Sequence, residues 1–245
     1  MHGLKAELHE IEAIAAVAAG VPPHADILIC PPASLLAAAA RTAAGRIAVG
    51  GQDCHPEASG AHTGDVSAEM LKDAGASAVI VGHSERRQHH AETDALVARK
   101  ALAAKRAGLL AIICVGETQE QRANGAALTT CGGQIRASVP VGMTASALAI
   151  GYEPLWAIGS AQIPTSDEIV HIHAHIRQCL VEHLGAEGKN VRILYGGSVK
   201  PSNARTILAL PEVGGALVGG ASLKSEEFAA ILASASAVAA PEAAE

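Results

Sequence analysis

The chain has 245 residues, 49% of them hydrophobic, with 18 Lys and Arg against 24 Asp and Glu, a formal net charge of −6. At that length roughly 70–75% of the unfolded surface can be buried on folding, so a core can form without disulfides or metal staples. The scattered cations exclude a basic stripe for nucleic acid, and no apolar run reaches the roughly 18–20 residues needed to span a bilayer.

The N-terminus carries no apolar signal core. Its first predicted element is a helix, 5–19. Apolar runs then alternate with amphipathic stretches along the chain. Strands are predicted at 25–30, 47–52, 78–82, 109–115, 147–152, 191–195 and 216–218. Helices are predicted at 34–42, 67–74, 94–107, 120–139, 166–184, 202–208 and 225–232, in addition to the first. The strands are continuously apolar rather than alternating, as in parallel strands covered on both faces. Thr165-Ser166-Asp167-Glu168 reads as a capping box. The Ala/Ser-rich stretch 234–245 is expected to fray. Regular strand–helix alternation over this length predicts an α/β chain forming one (βα)8 TIM barrel over residues 1–245. Eight helices against seven strands leave the barrel short of its first strand.

Five cysteines (Cys30, Cys54, Cys114, Cys131 and Cys179), odd in number and without a C-x-x-C pair, point to reduced thiols and a cytoplasmic location. Cys30 and Cys114 read as core residues. The sequence His171-Ile172-His173-Ala174-His175 reads as a solvated helix face, since no carboxylate stands at metal spacing; His89 and His90 read the same way. Glu117, after Cys114-Val115-Gly116, reads as a salt-bridging end to a core strand.

Chemistry concentrates at strand ends, where barrels carry their active sites. In Val81-Gly82-His83-Ser84-Glu85-Arg86-Arg87, a helix opening after His83 would aim its positive end at the imidazole and keep the ring neutral, able to donate to a carbonyl. A helix-capping histidine is the plainer alternative. In Tyr152-Glu153-Pro154, a half-buried carboxylate can serve as a base. The segment that follows, Pro154-Leu155-Trp156-Ala157-Ile158-Gly159-Ser160-Ala161-Gln162, holds the only Trp of the chain and runs into small residues, the composition of a lid. Tyr195-Gly196-Gly197-Ser198 and Gly219-Gly220 place paired glycines on consecutive strand ends, where backbone amides can cradle phosphate. Gln52–Asp65 is a long polar loop of the kind that serves an interface.

Together these motifs resemble the triosephosphate isomerase family, over nearly the whole chain. The resemblance implies interconversion of dihydroxyacetone phosphate and glyceraldehyde 3-phosphate without cofactor or metal. It implies Glu153 as base, His83 as electrophile, and Glu85 as a catalytic carboxylate. Amides of Gly159, Ser198 and Gly220, with Gly219 alongside, would hold the phosphate. Thr63 would reach into a neighbouring subunit of a homodimer. The family's glutamate and neutral histidine are an established pairing. Two departures stand out. The family's Asn-x-Lys strand precedes a Met-x-Gly, and here the sequence opens at Met1-His2-Gly3. A start upstream of Met1 is therefore expected, and without the lysine the rate is expected to fall by about 10²–10³. The family's Gly-Thr-Gly-Lys hinge reads Gly159-Ser160-Ala161-Gln162. The alternatives are an isomerase of a four-carbon ketose phosphate and an inactive, phosphate-binding remnant.

Overall fold

Seven parallel strands lie side by side in chain order: β1 (Leu28–Ile29), β2 (Ala48–Gly51), β3 (Ala78–Val81), β4 (Leu110–Val115), β5 (Leu148–Tyr152), β6 (Arg192–Tyr195) and β7 (Gly215–Ala216). The computed structural model describes residues 1–18, 20, 25–158 and 162–239. Among these the sheet curls as an open arc, with β1 and β7 each paired on one side. Parallel neighbours need crossover connections, and helices supply them. They are α1 (Leu8–Ala18), α2 (Leu36–Ala43), α3 (Ala68–Asp73), α4 (Ser84–His89), α5 (Asp94–Arg106), α6 (Gln119–Ala123), α7 (Ala127–Ser138), α8 (Ser166–Leu184), α9 (Ala204–Leu208) and α10 (Ser225–Ala239). The seven predicted strands and the barrel-type alternation are all present.

Apart from the exposed Arg192 that opens β6, the strands carry no charged residue, because both faces are covered. Val79, Val81, Ile113 and Val115 point outward into the core shared with the helices, where α8 contributes Ile169, Ile172, Ile176 and Leu180 at helical spacing. The alternate residues Ala78, Ile80, Ile112, Cys114 and Ala149 form a second, smaller cluster on the inner face of the arc. Residues of period two thus divide between two apolar environments.

Three expectations need correction. The single helix predicted over 120–139 is two, α6 and α7, because Asn124-Gly125 ends α6 and Gly125 takes φ +70°. The last helix runs on to Ala239, beyond 232 and into the stretch expected to fray, since Ile231 and Leu232 are buried in the core and anchor it. Residues 240–245 lie outside the described residues. β1 and β7 are two residues each, shorter than the apolar runs that predicted them.

The first and last helices are joined by Glu10, whose carboxylate accepts the Ser225 N–H at 2.8 Å and the Lys224 ammonium at 3.2 Å. The Ser225 bonds, more than Lys224, pull its pKa from 4.5 to about 2. Because the folded value lies below the unfolded one, the contribution is present above the ordinary carboxylate range and is lost as pH falls through the folded value. A Glu10→Gln variant should melt below the parent at about pH 7. The gap should close as pH falls from 4.5 to about 2, followed by circular dichroism. A gap constant across that window would show that Glu10 contributes through shape rather than charge.

Candidate active site

The β3–α4 turn is built to present His83. Gly82 takes φ +66°, and a Cβ there would stand 2.7 Å from Val97, so the turn demands glycine. Arg87 locks it from behind: its Nε–H donates to the Gly82 carbonyl at 2.8 Å, Nη2 donates to the Cys114 carbonyl and the Ser138 hydroxyl, and Nη1 pairs with Asp94 at 2.6 Å. His83 is then the residue before α4, and its Nδ1 accepts the Glu85 N–H at 3.3 Å. The capping role and the placement at a strand end are therefore the same fact.

Glu153 follows β5 and is buried at 2% exposure. Its carboxylate accepts the Ser84 N–H at 2.9 Å and the Ser84 hydroxyl at 3.2 Å. Oε1 also lies 2.8 Å from His83 Nε2. The approach depends on Gly116 at the end of β4, where a Cβ would fall 1.8 Å from the Glu153 carbonyl oxygen. Glu153 and His83 thus meet directly across the end of β4, one from the end of β5 and the other from the end of β3.

The charge state of His83 is set by opposing forces. Burial disfavours the imidazolium; the hydrogen bond and charge of Glu153 favour it; the net direction in this arrangement is above the ordinary histidine value. The Nδ1 contact works the other way, because only an unprotonated Nδ1 accepts the Glu85 N–H. Burial and the backbone amide at Nδ1 favour the neutral ring expected from sequence, while the Glu153 carboxylate pulls toward the imidazolium. When Glu153 moves away its pull goes with it, leaving burial, that amide and the Arg86 charge on the side of the neutral form and the Glu85 charge against it.

The remaining expected residues lie at the same, C-terminal edge of the sheet. Ser198 follows β6, half-buried, with its carbonyl accepting from Asn203 Nδ2 at 2.9 Å. Gly219 and Gly220 follow β7, and Gly220–Leu223 form a short 3-10 turn closed by the Ser222 N–H on the Gly219 carbonyl at 2.9 Å. These residues, His83, Glu85 and Glu153 line one cleft of about 2450 Å³ that runs along the inner face of the arc. So large a cleft does not by itself bring residues together; their common position at the C-terminal ends of β3, β5, β6 and β7 does. Glu85 is exposed at the rim. Of the lid segment, Pro154 is buried, Leu155–Ala157 make a 3-10 turn, Ile158 is 39% exposed and Gln162 is exposed. Gly159, Ser160 and Ala161, and with them the altered hinge, lie outside the described residues.

Thr63 sits exposed on the loop between β2 and α3, whose base is joined by His55 N–H to the Val66 carbonyl at 2.8 Å. The loop also gathers His55, His62 and Asp65, with ligand atoms within 4.8 Å of one another. His55 Nδ1 accepts the Glu57 N–H at 3.1 Å, which leaves the ring proton on Nε2, the nitrogen 3.7 Å from Asp65. In that tautomer Nε2 carries the proton on the side of the Asp65 carboxylate and offers a cation no lone pair.

Two sequence readings are overturned here. Glu117 forms no salt bridge among the described residues: it is 1% exposed and accepts from the Tyr152 hydroxyl at 3.1 Å and the Trp156 indole N–H at 2.7 Å. His173 is no solvated residue but is wholly buried beside Tyr152 and Tyr195, its Nδ1 bonded to the Glu212 carbonyl, and burial lowers its pKa. Sequence reasoning also missed Ser84 as the clasp of Glu153. Cys114 is buried as expected of a core residue, and burial with the charge of Glu153 lifts its thiol well above the ordinary value, whereas Cys30 is only half-buried, at the wall of the cleft.

Comparison with known proteins agrees with this geometry. The family model described as triosephosphate isomerase matches residues 1–235. A protein named triosephosphate isomerase from Rhodopseudomonas palustris (strain BisA53) is 57% identical over 236 residues, 95% of this chain and 93% of the relative. One of the same name from Bradyrhizobium sp. (strain BTAi1) is 58% identical, over 94% of this chain and 93% of its own length. The crystal structure of triosephosphate isomerase from Bartonella henselae superposes with a TM-score of 0.88 at 46% identity, covering 96% of this chain and 94% of that one. The family match, the sequence identity and the shared fold show that the chain belongs to the triosephosphate isomerase family.

Proposed function

We propose that this chain interconverts dihydroxyacetone phosphate and glyceraldehyde 3-phosphate, with Glu153 carrying the proton and His83 polarising the carbonyl. The observation that carries the reading is the 2.8 Å contact between Glu153 Oε1 and His83 Nε2, with the carboxylate clasped by Ser84. Glu153, displaced from His83 by substrate, takes a proton from the carbon bearing the hydroxyl and returns it to the adjacent carbon that carried the carbonyl. His83, neutral with its proton on Nε2, donates to the carbonyl oxygen as charge develops there and stabilises the enediolate; it passes that proton to the oxygen and takes back the proton of the neighbouring hydroxyl, whose oxygen becomes the new carbonyl. Glu85, at the rim beside His83, adds a negative charge that favours a proton on the ring. Backbone amides at Ser198, Gly219 and Gly220, together with Gly159, grip the phosphate. The segment 154–162 serves as the lid that excludes water from the intermediate.

The reading extends to assembly and location. Thr63 on its exposed loop supports a homodimer in which each subunit completes its partner's site. Among the described residues no helix is long and apolar enough to cross a membrane, which accords with a cytoplasmic enzyme. Coupled assays on both triose phosphates test the activity: turnover in both directions is expected, and none in either would defeat the reading. Sedimentation of a Thr63→Arg variant tests the assembly. The parent should sediment as a dimer and the variant should shift toward monomer with loss of activity, whereas a monomeric parent of full activity would refute the shared site.

A further inference from the structure

Arg122 belongs to no part of the machinery described so far, yet it touches both ends of the segment that follows Glu153, through Trp156 and Glu168. It projects from α6, which is fixed in place by the Thr118 and Gln121 capping box. Its guanidinium carbon lies 3.5 Å from the centre of the Trp156 ring, stacked on the face. Its Nη2 pairs at the same time with the Glu168 carboxylate. A guanidinium can do both because stacking uses its face while hydrogen bonding uses its edge. Glu168 is committed on its other side: its Oε2 accepts the Thr165 N–H at 2.8 Å and the Thr165 hydroxyl at 3.0 Å, capping the first turn of α8. Trp156 is committed as well, through its indole N–H to Glu117 at 2.7 Å. One cation therefore joins the residue three places after Glu153 to the start of the helix beyond.

The contact matters because Glu153 cannot act where it rests. A separation of 2.8 Å between its Oε1 and His83 Nε2 leaves no space for a substrate between them. Glu153 must swing, and it swings on a short connection, Pro154 and the turn Leu155–Ala157, whose far end is the clasped indole. We infer that Arg122 is a positioning residue for the isomerisation: by holding Trp156 and Glu168 together it fixes the pivot about which Glu153 moves between His83 and the substrate. This rests on the reading of Glu153 as the base.

The test uses the full chain with Arg122→Met, Arg122→Lys and Glu168→Gln. Trp156 is the only tryptophan, so its emission reports the clasp without ambiguity. Loss of the pivot should lower kcat by about tenfold in Arg122→Met with KM changed by about twofold or less, since a misplaced base costs rate rather than ground-state binding. Arg122→Lys keeps the charge but not the planar fork, and should fall between Met and the parent. Glu168→Gln should lose part of the rate, and adding it to Arg122→Met should cost little more, because the two act as one unit. Emission should shift to the red in Arg122→Met, and the change caused by inorganic phosphate in the parent should shrink. Unchanged kcat and emission in Arg122→Met would overturn the inference. So would a rate loss that vanishes at lower temperature in step with restored folding, the signature of a merely structural residue. A parent chain without turnover would fail the base assignment instead, and the emission response to phosphate would still decide the clasp.

Discussion

Replacing Glu153 with glutamine is expected to lower kcat by about 10²–10⁴-fold with little change in KM, because the group removed acts on the proton only in the transition state. Glutamine is nearly isosteric, and its carbonyl oxygen can still accept from Ser84, so the fold should survive. The same variant carries a second readout. Glu153 is the first of the groups that raise the pKa of His83 against burial, so its removal should move the His83 titration downward, followed by NMR of the imidazole. A Glu153→Gln enzyme within about tenfold of the parent would sink the base assignment. An unmoved histidine titration would mean that the resting contact carries no electrostatic weight.

The largest stability effect is expected at Lys100. Its ammonium is 5% exposed and lies 2.7 and 2.8 Å from the two oxygens of Asp53 and 2.6 Å from Glu92 Oε1. Arg86 completes the group, pairing with Asp53 at 2.9 Å and Glu92 at 2.6 Å. Burial pushes the Asp53 carboxyl above its ordinary range even beside Lys100. Burial acts on Glu92 in the same sense, but the bonds and charges of Lys100 and Arg86 outweigh it and hold Glu92 low. Lys100→Met would leave two carboxylates facing one arginine in a buried place. The expected cost is about 3–5 kcal/mol, a fall in melting temperature on the order of ten degrees. Asp53 opens the loop that carries Thr63, and Arg86 belongs to the helix behind His83, so disorder at this group would reach both. Scanning calorimetry would measure the loss, and a change below about 1 kcal/mol would show that the four charges are no more than a solvated cluster.

What the sequence made legible follows from locality. Strand and helix positions are written in runs of neighbouring residues, so the alternation, the seven strands and the placement of His83, Glu153, Ser198 and Gly219 at strand ends could be read directly. The Thr165–Glu168 capping box was equally local and is present. Most of the misses depend on partners distant in the chain. Lys100 sits in α5 looking like any helix-surface lysine until Asp53, 47 positions away, closes on it. Glu117 finds Trp156 across 39 positions, and His173 finds the Glu212 carbonyl across 39. A buried indole N–H must find an acceptor, so the lone Trp was a signal that some carboxylate or carbonyl waited for it, though not which. The break between α6 and α7 was the one local miss: Asn124-Gly125 is a stop signal that the apolar pattern on either side hid.

The contact between Glu153 and His83 has one more consequence. In the free enzyme the two reactive groups occupy each other, so the site behaves as if it held an intramolecular competitor. A ligand whose carbonyl is to reach both groups must first part them, and part of its intrinsic affinity is spent on that separation. The apparent dissociation constant is the intrinsic one divided by the fraction of molecules already parted. Weak capture of unreactive phosphates would then reflect this self-occupancy rather than a poor grip, and selectivity would favour ligands able to satisfy base and imidazole at once.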